Sequence, residues 1–197
     1  MSLATIASEI SRCEKCPLHL SRRNAVPGEG PETARILLVG EGPGAEEDQQ
    51  GRPFVGAAGK LLTEALEEAG IPRETVYITN VVKCRPPSNR TPTTSEREAC
   101  LPYLKRQIAA LKPAVICLLG GTATQTLLGG STVSTLRGKP TRREGQLYLA
   151  TYHPASLLYN PQLKNALHED LRLLRKIRQQ PPSEENSSSG MRLDSFV

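Results

Sequence analysis

Four short apolar runs, each with a glycine, asparagine or histidine at or beside its end, constrain this chain more than any other feature. They are Ala34-Arg-Ile-Leu-Leu-Val-Gly40, Val76-Tyr-Ile-Thr-Asn-Val-Val82, Pro113-Ala-Val-Ile-Cys-Leu-Leu-Gly120 and Leu147-Tyr-Leu-Ala-Thr-Tyr152. Short β-branched runs bounded by turn residues read as buried strands. Stretches of helical spacing separate them. Residues 57–69 carry Leu61, Leu62, Ala65, Leu66 and Ala69 on one face, with Gly70 as a stop and Pro72 beyond it. Thr94 or Ser95 can cap a helix running to about Leu111, with Glu98 closing a capping box on Ser95. Further helices are expected over residues 5–12, 122–128 and 162–178, the last apolar at Leu163, Ala166, Leu167, Leu171, Leu174 and Ile177. Strands alternating with helices argue for an α/β fold whose parallel sheet is covered on both faces, because each crossover buries the sheet under a helix. Ligands in such folds sit beyond the carboxyl ends of the strands. Those ends read Gly40-Glu-Gly-Pro-Gly44, Asn80, Gly120-Gly121 and His153-Pro154.

A length of 197 residues suits one domain, expected over residues 1–180, and a tail over 181–197. The tail opens on Pro181-Pro-Ser-Glu-Glu-Asn-Ser-Ser-Ser189, which cannot build a core. It closes on Gly190-Met-Arg-Leu-Asp-Ser-Phe-Val197, with Leu193 and Phe196-Val197 at the spacing of a degenerate sliding-clamp binding motif. A terminus with no partner fits those residues equally well. The start of the chain lacks the basic and apolar segments of a signal peptide, and no run reaches the roughly 20 apolar residues of a membrane span, so a cytoplasmic, monomeric product is expected. The formal net charge of +5 permits nucleic-acid binding without requiring it.

In a reducing compartment five cysteines point to metal chemistry rather than disulfides. Cys13-Glu-Lys-Cys16 is a tight pair, Cys84 follows the second strand, and Cys100 falls on the next helix. Four thiolates can hold a 4Fe–4S cluster or a structural zinc, and the residues alone leave both open. Cys117, inside the third apolar run, reads as a small core residue.

Several stretches together resemble the family 4 uracil-DNA glycosylases, the iron–sulfur branch found in thermophilic bacteria and archaea. They are the Cys13–Cys16 pair, Val26-Pro-Gly-Glu-Gly30, Gly40-Glu-Gly-Pro-Gly-Ala-Glu-Glu-Asp48, Gly51-Arg-Pro-Phe-Val-Gly56, Thr79-Asn-Val-Val-Lys-Cys-Arg-Pro-Pro87 and Tyr152-His-Pro-Ala-Ser156. The resemblance implies a three-layer α/β/α sandwich with a four-stranded parallel sheet. It also implies a 4Fe–4S cluster on Cys13, Cys16, Cys84 and Cys100, and removal of uracil from single- or double-stranded DNA.

That chemistry assigns roles to the strand ends. Phe54, in a glycine-flanked loop, is expected to be exposed for stacking on the base. Asn80 can accept from uracil N3–H and donate to O4, where cytosine reverses both groups. His153 can donate to O2 as charge grows there. The turn holding Glu41 and Gly42 offers backbone amides. Gly42 stands where better-known uracil glycosylases carry an aspartate, which leaves Glu41, or Asn89 in the proline-rich loop, to position the water. The resemblance places Glu47 against a thymine 5-methyl, although a solvated loop acid reads nearly as well. It also sends Leu157 or Leu158 into the gap left by the flipped base. Ser156 and Arg85, with Arg90, Arg137, Lys139, Arg142 and Arg143, are candidate phosphate contacts. The competing reading is an iron–sulfur or zinc protein that binds nucleic acid without catalysis; an electron-transfer protein would have no need of the Asn80 and His153 constellation.

Overall fold

The computed structural model describes residues 2–130 and 132–179. The chain runs α1 (Leu3–Ser11), β1 (Ile36–Gly40), α2 (Ala45–Gln50), α3 (Ala57–Glu68), β2 (Tyr77–Asn80), α4 (Thr94–Leu111), β3 (Val115–Leu119), α5 (Gly121–Leu128), α6 (Val133–Leu136), β4 (Thr141–Arg143), β5 (Gln146–Thr151) and α7 (Lys164–Gln179). The strands form one sheet in the order β2-β1-β3-β5-β4. β2, β1, β3 and β5 are parallel, as expected. β4 adds a fifth, antiparallel edge strand to β5. Its three residues, Thr-Arg-Arg, carry no apolar alternation, so nothing in the pattern marked them. The signal lay in Glu144-Gly145, both at positive φ, which form the two-residue turn that joins the strands.

Residues of each central strand alternate between two cores. Leu37, Val39, Ile116 and Leu118 face α1 and α4, whereas Ile36, Leu38, Val115, Cys117 and Leu119 face α3 and α7. Burial on both faces is why these strands read as continuous apolar runs. Cys117 lies within the second core, where burial pushes its thiol well up, as the small core residue expected.

Helix boundaries moved where chemistry competed locally. α4 is capped by Thr93, whose hydroxyl accepts from Glu96 N while Glu96 Oε2 accepts from Thr93 N at 2.7 Å. The expected Ser95–Glu98 box does not form. Glu96 is buried and gripped by Arg90 at 2.7 and 2.8 Å, which holds its carboxyl down at about 2, whereas Glu98 is exposed. Gly70, at φ +71°, ends the turn after α3 as expected, with Ile71 N donating to Leu66 O. α2, rich in acid and without an apolar face, was not anticipated. No helix among the described residues is long and apolar enough to cross a membrane. The expected clamp-binding segment, residues 190–197, lies outside the described residues.

Candidate active site

The strand order reverses at β1, between β2 and β3, and a cleft opens at the carboxyl ends of these strands and β5. It measures about 520 Å³, and its walls include Glu41, Gly42, Glu47, Phe54, Asn80, Asn89 and His153. All the expected base-binding residues thus meet in one place, although they come from four segments of the chain.

Asn80 closes β2 opposite Gly40 of β1. Its side chain is 1% exposed, and Oδ1 has no hydrogen-bond partner among the described residues. A buried polar atom left unpaired costs on the order of 1–3 kcal/mol, so an acceptor held this way is waiting for a donor. Gly40 is what makes room for it: a methyl there would sit 2.4 Å from Asn80 Oδ1 and 2.6 Å from Phe54 Cζ. Gly40→Ala is therefore expected to cost about 1–3 kcal/mol of stability through overpacking, with a lower Tm in thermal denaturation. Gly121→Ala is the control, since none of the described residues lies within 4 Å of its added methyl, and its Tm should hold.

Phe54 is 6% exposed, not free in solvent as expected. It remains on the pocket wall because its loop is pinned around it. Phe54 adopts φ +51°, costly for a bulky side chain. Glu47 Oε1 accepts from Val55 N and Gly56 N, both at 2.8 Å, while Arg73 donates to Pro53 O at 2.9 Å. Gly59 lets the loop press onto α3, since a Cβ there would lie 1.9 Å from Phe54 O. Glu47 Oε2 also accepts from Gly44 N at 3.0 Å. The alternative of a solvated loop acid does not fit: Glu47 is half-buried and ties the Gly44 turn to the Phe54 loop. That bond also occupies one of the turn amides expected to face a ligand.

His153 packs against Phe54, ring centroids 5.6 Å apart at 30°. Its Nδ1 accepts from Ala155 N at 3.1 Å, which leaves the proton on Nε2. Burial lowers its pKa to about 4, against an opposing pull from Glu47, so at neutral pH the ring is an uncharged donor. Gly120, at φ +90°, gives this residue space; a Cβ there would meet His153 Cβ at 2.8 Å.

Glu41 lines the cleft and accepts from the hydroxyl of Thr122, the second residue of α5. Thr122 was not anticipated, although it follows directly on the Gly120-Gly121 strand end. Gly42 is confined as well as permissive, a Cβ there approaching Val82 Cγ2 to 2.7 Å. Asn89 sits exposed on the rim at φ +54°, and its Oδ1 accepts from Arg85 Nε at 2.8 Å.

The expected DNA contacts divide. Leu157 is 7% exposed and packs in the α3/α7 core, so it cannot leave to fill a duplex; Leu158 is 50% exposed and Tyr159 89%. Ser156 is likewise corrected, its hydroxyl donating inward to His153 O at 2.5 Å. Arg137 pairs with buried Asp170 at 3.0 Å and lies over the Tyr152 ring, and Arg90 holds Glu96. Those two cations stabilise loops. Lys139 donates to Thr135 O and Arg143 to Leu127 O.

Cys13, Cys16, Cys84 and Cys100 line one small apolar pocket between α1, α4 and the segment after β2. Arg22 donates to Cys84 Sγ at 3.2 Å and to Cys13 O at 2.7 Å. Burial raises the Cys16, Cys84 and Cys100 thiols, Cys100 to about 11. Among the described residues no group of three or more His, Cys, Asp or Glu side chains is poised to hold a metal ion. Directly behind Asn80, Lys83 is 1% exposed and donates to Thr79 Oγ1, Asn80 O and Gln107 Oε1.

The family model of the uracil DNA glycosylase superfamily matches residues 27–175. A type-4 uracil-DNA glycosylase of Pyrobaculum aerophilum is 50% identical over 180 residues, covering 87% of this chain and 92% of that protein. Similar proteins of the same description occur in Archaeoglobus fulgidus, 49% identical over 87% of this chain and 90% of that protein, and in Thermotoga maritima, 50% identical over 84% and 89%.

Proposed function

The chain belongs to the uracil DNA glycosylase superfamily, and on that premise we propose that its strand-end cleft receives a uracil flipped out of DNA and hydrolyses the bond from uracil N1 to the sugar, leaving an abasic site for repair. The observation that carries this reading is the buried, unpartnered Asn80 Oδ1, beside the Phe54 ring and the neutral His153 donor.

Uracil stacks on Phe54. Asn80 Oδ1 accepts from N3–H and Nδ2 donates to O4. As the N1–C1′ bond breaks, its electron pair passes to the base and charge gathers on O2, where His153 Nε2–H donates. Water then bonds to C1′ and gives up a proton, which neutralises the departing uracil anion. Glu41, steadied by Thr122, positions that water; Asn89 at the rim is the second candidate. Glu47, through the loop it holds, keeps the wall closed where thymine would carry its methyl. Leu158 takes the wedge role, and Arg85 contacts a phosphate. On the tail, a clamp-binding reading of residues 190–197 rests on sequence alone.

For the cysteines we propose a 4Fe–4S cluster on Cys13, Cys16, Cys84 and Cys100. Four thiols share one apolar pocket, and four thiolates are the usual complement of a 4Fe–4S cluster. The Arg22 N–H directed at Cys84 Sγ suits an anionic sulfur. When bound, the cluster would cross-link the segment after α1, the segment after β2 and α4.

The reading is tested with a uracil-containing oligonucleotide. Metal-replete protein is expected to release free uracil and leave an alkali-labile site at that position. Tight binding with no abasic product would favour the non-catalytic nucleic-acid binder and sink the glycosylase.

A further inference from the structure

Lys83 is the largest of the fully buried side chains, and every polar group it has is used. Its Nζ donates to Thr79 Oγ1 at 2.6 Å, Asn80 O at 2.7 Å and Gln107 Oε1 at 2.7 Å, all neutral acceptors. Thr79 Oγ1 and Gln107 Nε2 both donate on to Pro27 O at 2.8 Å, so the ammonium caps a closed network that fastens the end of β2 to α4 and to the loop before β1. The main chain of Lys83 points the other way. Its carbonyl accepts from Val26 N at 2.7 Å, the next residue is Cys84, and Lys83 itself lines the pocket of the four cysteines. One residue thus touches the peptide of the uracil reader with its side chain and a proposed cluster ligand with its backbone.

The charge has to be explained too. An ammonium taken out of water carries a penalty of several kcal/mol unless an opposite charge answers it. Among the described residues no carboxylate is a partner of Lys83. Cys84 and Cys100 line the same pocket as Lys83. Cys13 and Cys16 line it as well. Thiolates bound to iron would supply the missing negative charge and free thiols would not.

We propose that Lys83 is a positioning residue that couples the four-cysteine site to Asn80, its ammonium clamping the Asn80 peptide while balancing the charge of a thiolate-bound cluster. The proposal rests on the glycosylase and cluster readings, so its test must separate from theirs. Lys83→Met, which keeps the length and removes the charge, is compared with wild type in three measurements: iron and sulfide per chain, cluster midpoint potential, and kcat/KM for uracil release beside affinity for abasic-site DNA. The expected result is a folded, cluster-bearing variant whose potential is lower, because a nearby positive charge that favoured the reduced cluster is gone. Uracil kcat/KM should fall at least about tenfold, while affinity for abasic DNA, which offers no base to Asn80, changes less than about twofold. An unchanged potential, or equal losses in excision and abasic-DNA affinity, would overturn the coupling. If Lys83→Met does not fold, Lys83→Gln reads the electrostatic half: a lower potential supports the proposal and an unchanged one overturns it. Wild-type protein purified with zinc in place of iron also overturns it. Wild type that holds the cluster but releases no uracil sinks the glycosylase reading alone, and the potential shift still tests the charge balance.

Discussion

His153→Ala is expected to lower the single-turnover rate of uracil release by about 10²–10³-fold, the usual cost of losing one preorganised donor to a developing oxyanion. Affinity for uracil DNA should change far less, because the donor acts most strongly on charge that grows only in the transition state. The pH dependence follows from the ring's surroundings. Burial holds the pKa at about 4, below the ordinary imidazole value, so His153 stays neutral and keeps its Nε2 proton from neutral pH down to about pH 5. The step should therefore show no His limb near pH 6.5. It should fall only as pH approaches 4, where protonating Nδ1 breaks the bond from Ala155 N. Stability carries the same sign. Between the folded value and the unfolded value near 6.5 the unfolded chain binds more protons, so the native state is fully favoured above pH 6.5 and loses this contribution as pH falls towards 4. Rapid-quench assays across pH 4–8 check both statements. A rate that titrates near pH 6.5, or a His153→Ala rate within threefold of wild type, would assign O2 to another donor.

Much of this site could be read from the order of residues because a parallel sheet converts sequence into place. Strand ends meet at the switch point whatever the helices between them do, so Gly40–Gly44, Asn80 and His153 fell together from pattern alone. Residues whose position depends on a side-chain bond could not be read that way. The Phe54 loop looks open in sequence, being flanked by glycines, yet Glu47 and Arg73 fasten it from two sides and bury the ring. The Tyr152–Tyr159 segment misled for a related reason. Its tight turn rotates successive residues in and out, so that Leu157 enters the core and Leu158 leaves it, a difference of one position that motif spacing does not encode. Lys83 left a clearer trace. A lysine between Val81-Val82 and Cys84 has no apolar reason to be there, and that misfit was the available signal.

Asn80→Ala separates function from stability most sharply, because the two are expected to move in opposite directions. In the complex, Asn80 answers uracil N3–H and O4. Removing it leaves two desolvated groups unpaired at about 1–3 kcal/mol each, a loss of roughly 30-fold to 10⁴-fold in kcat/KM. Preference for uracil over cytosine should collapse along with it, since the amide is what distinguishes N3–H with O4 from N3 with N4–H₂. In the free protein the balance is reversed. Asn80 Oδ1 is already buried without a partner, wedged over Gly40 beside Phe54, and it stabilises nothing there. Alanine relieves that unpaired acceptor while opening a cavity of amide size, so the Tm should stay level or rise rather than fall. A function bought with stability in this way is the pattern of a binding site. A structural asparagine, such as one forming a turn through Oδ1, would behave otherwise: its loss would lower the Tm by several degrees and reduce excision only in proportion. Calorimetry of the variant beside its excision kinetics on uracil and cytosine substrates distinguishes the two, and a lowered Tm with excision retained would remove Asn80 from the site.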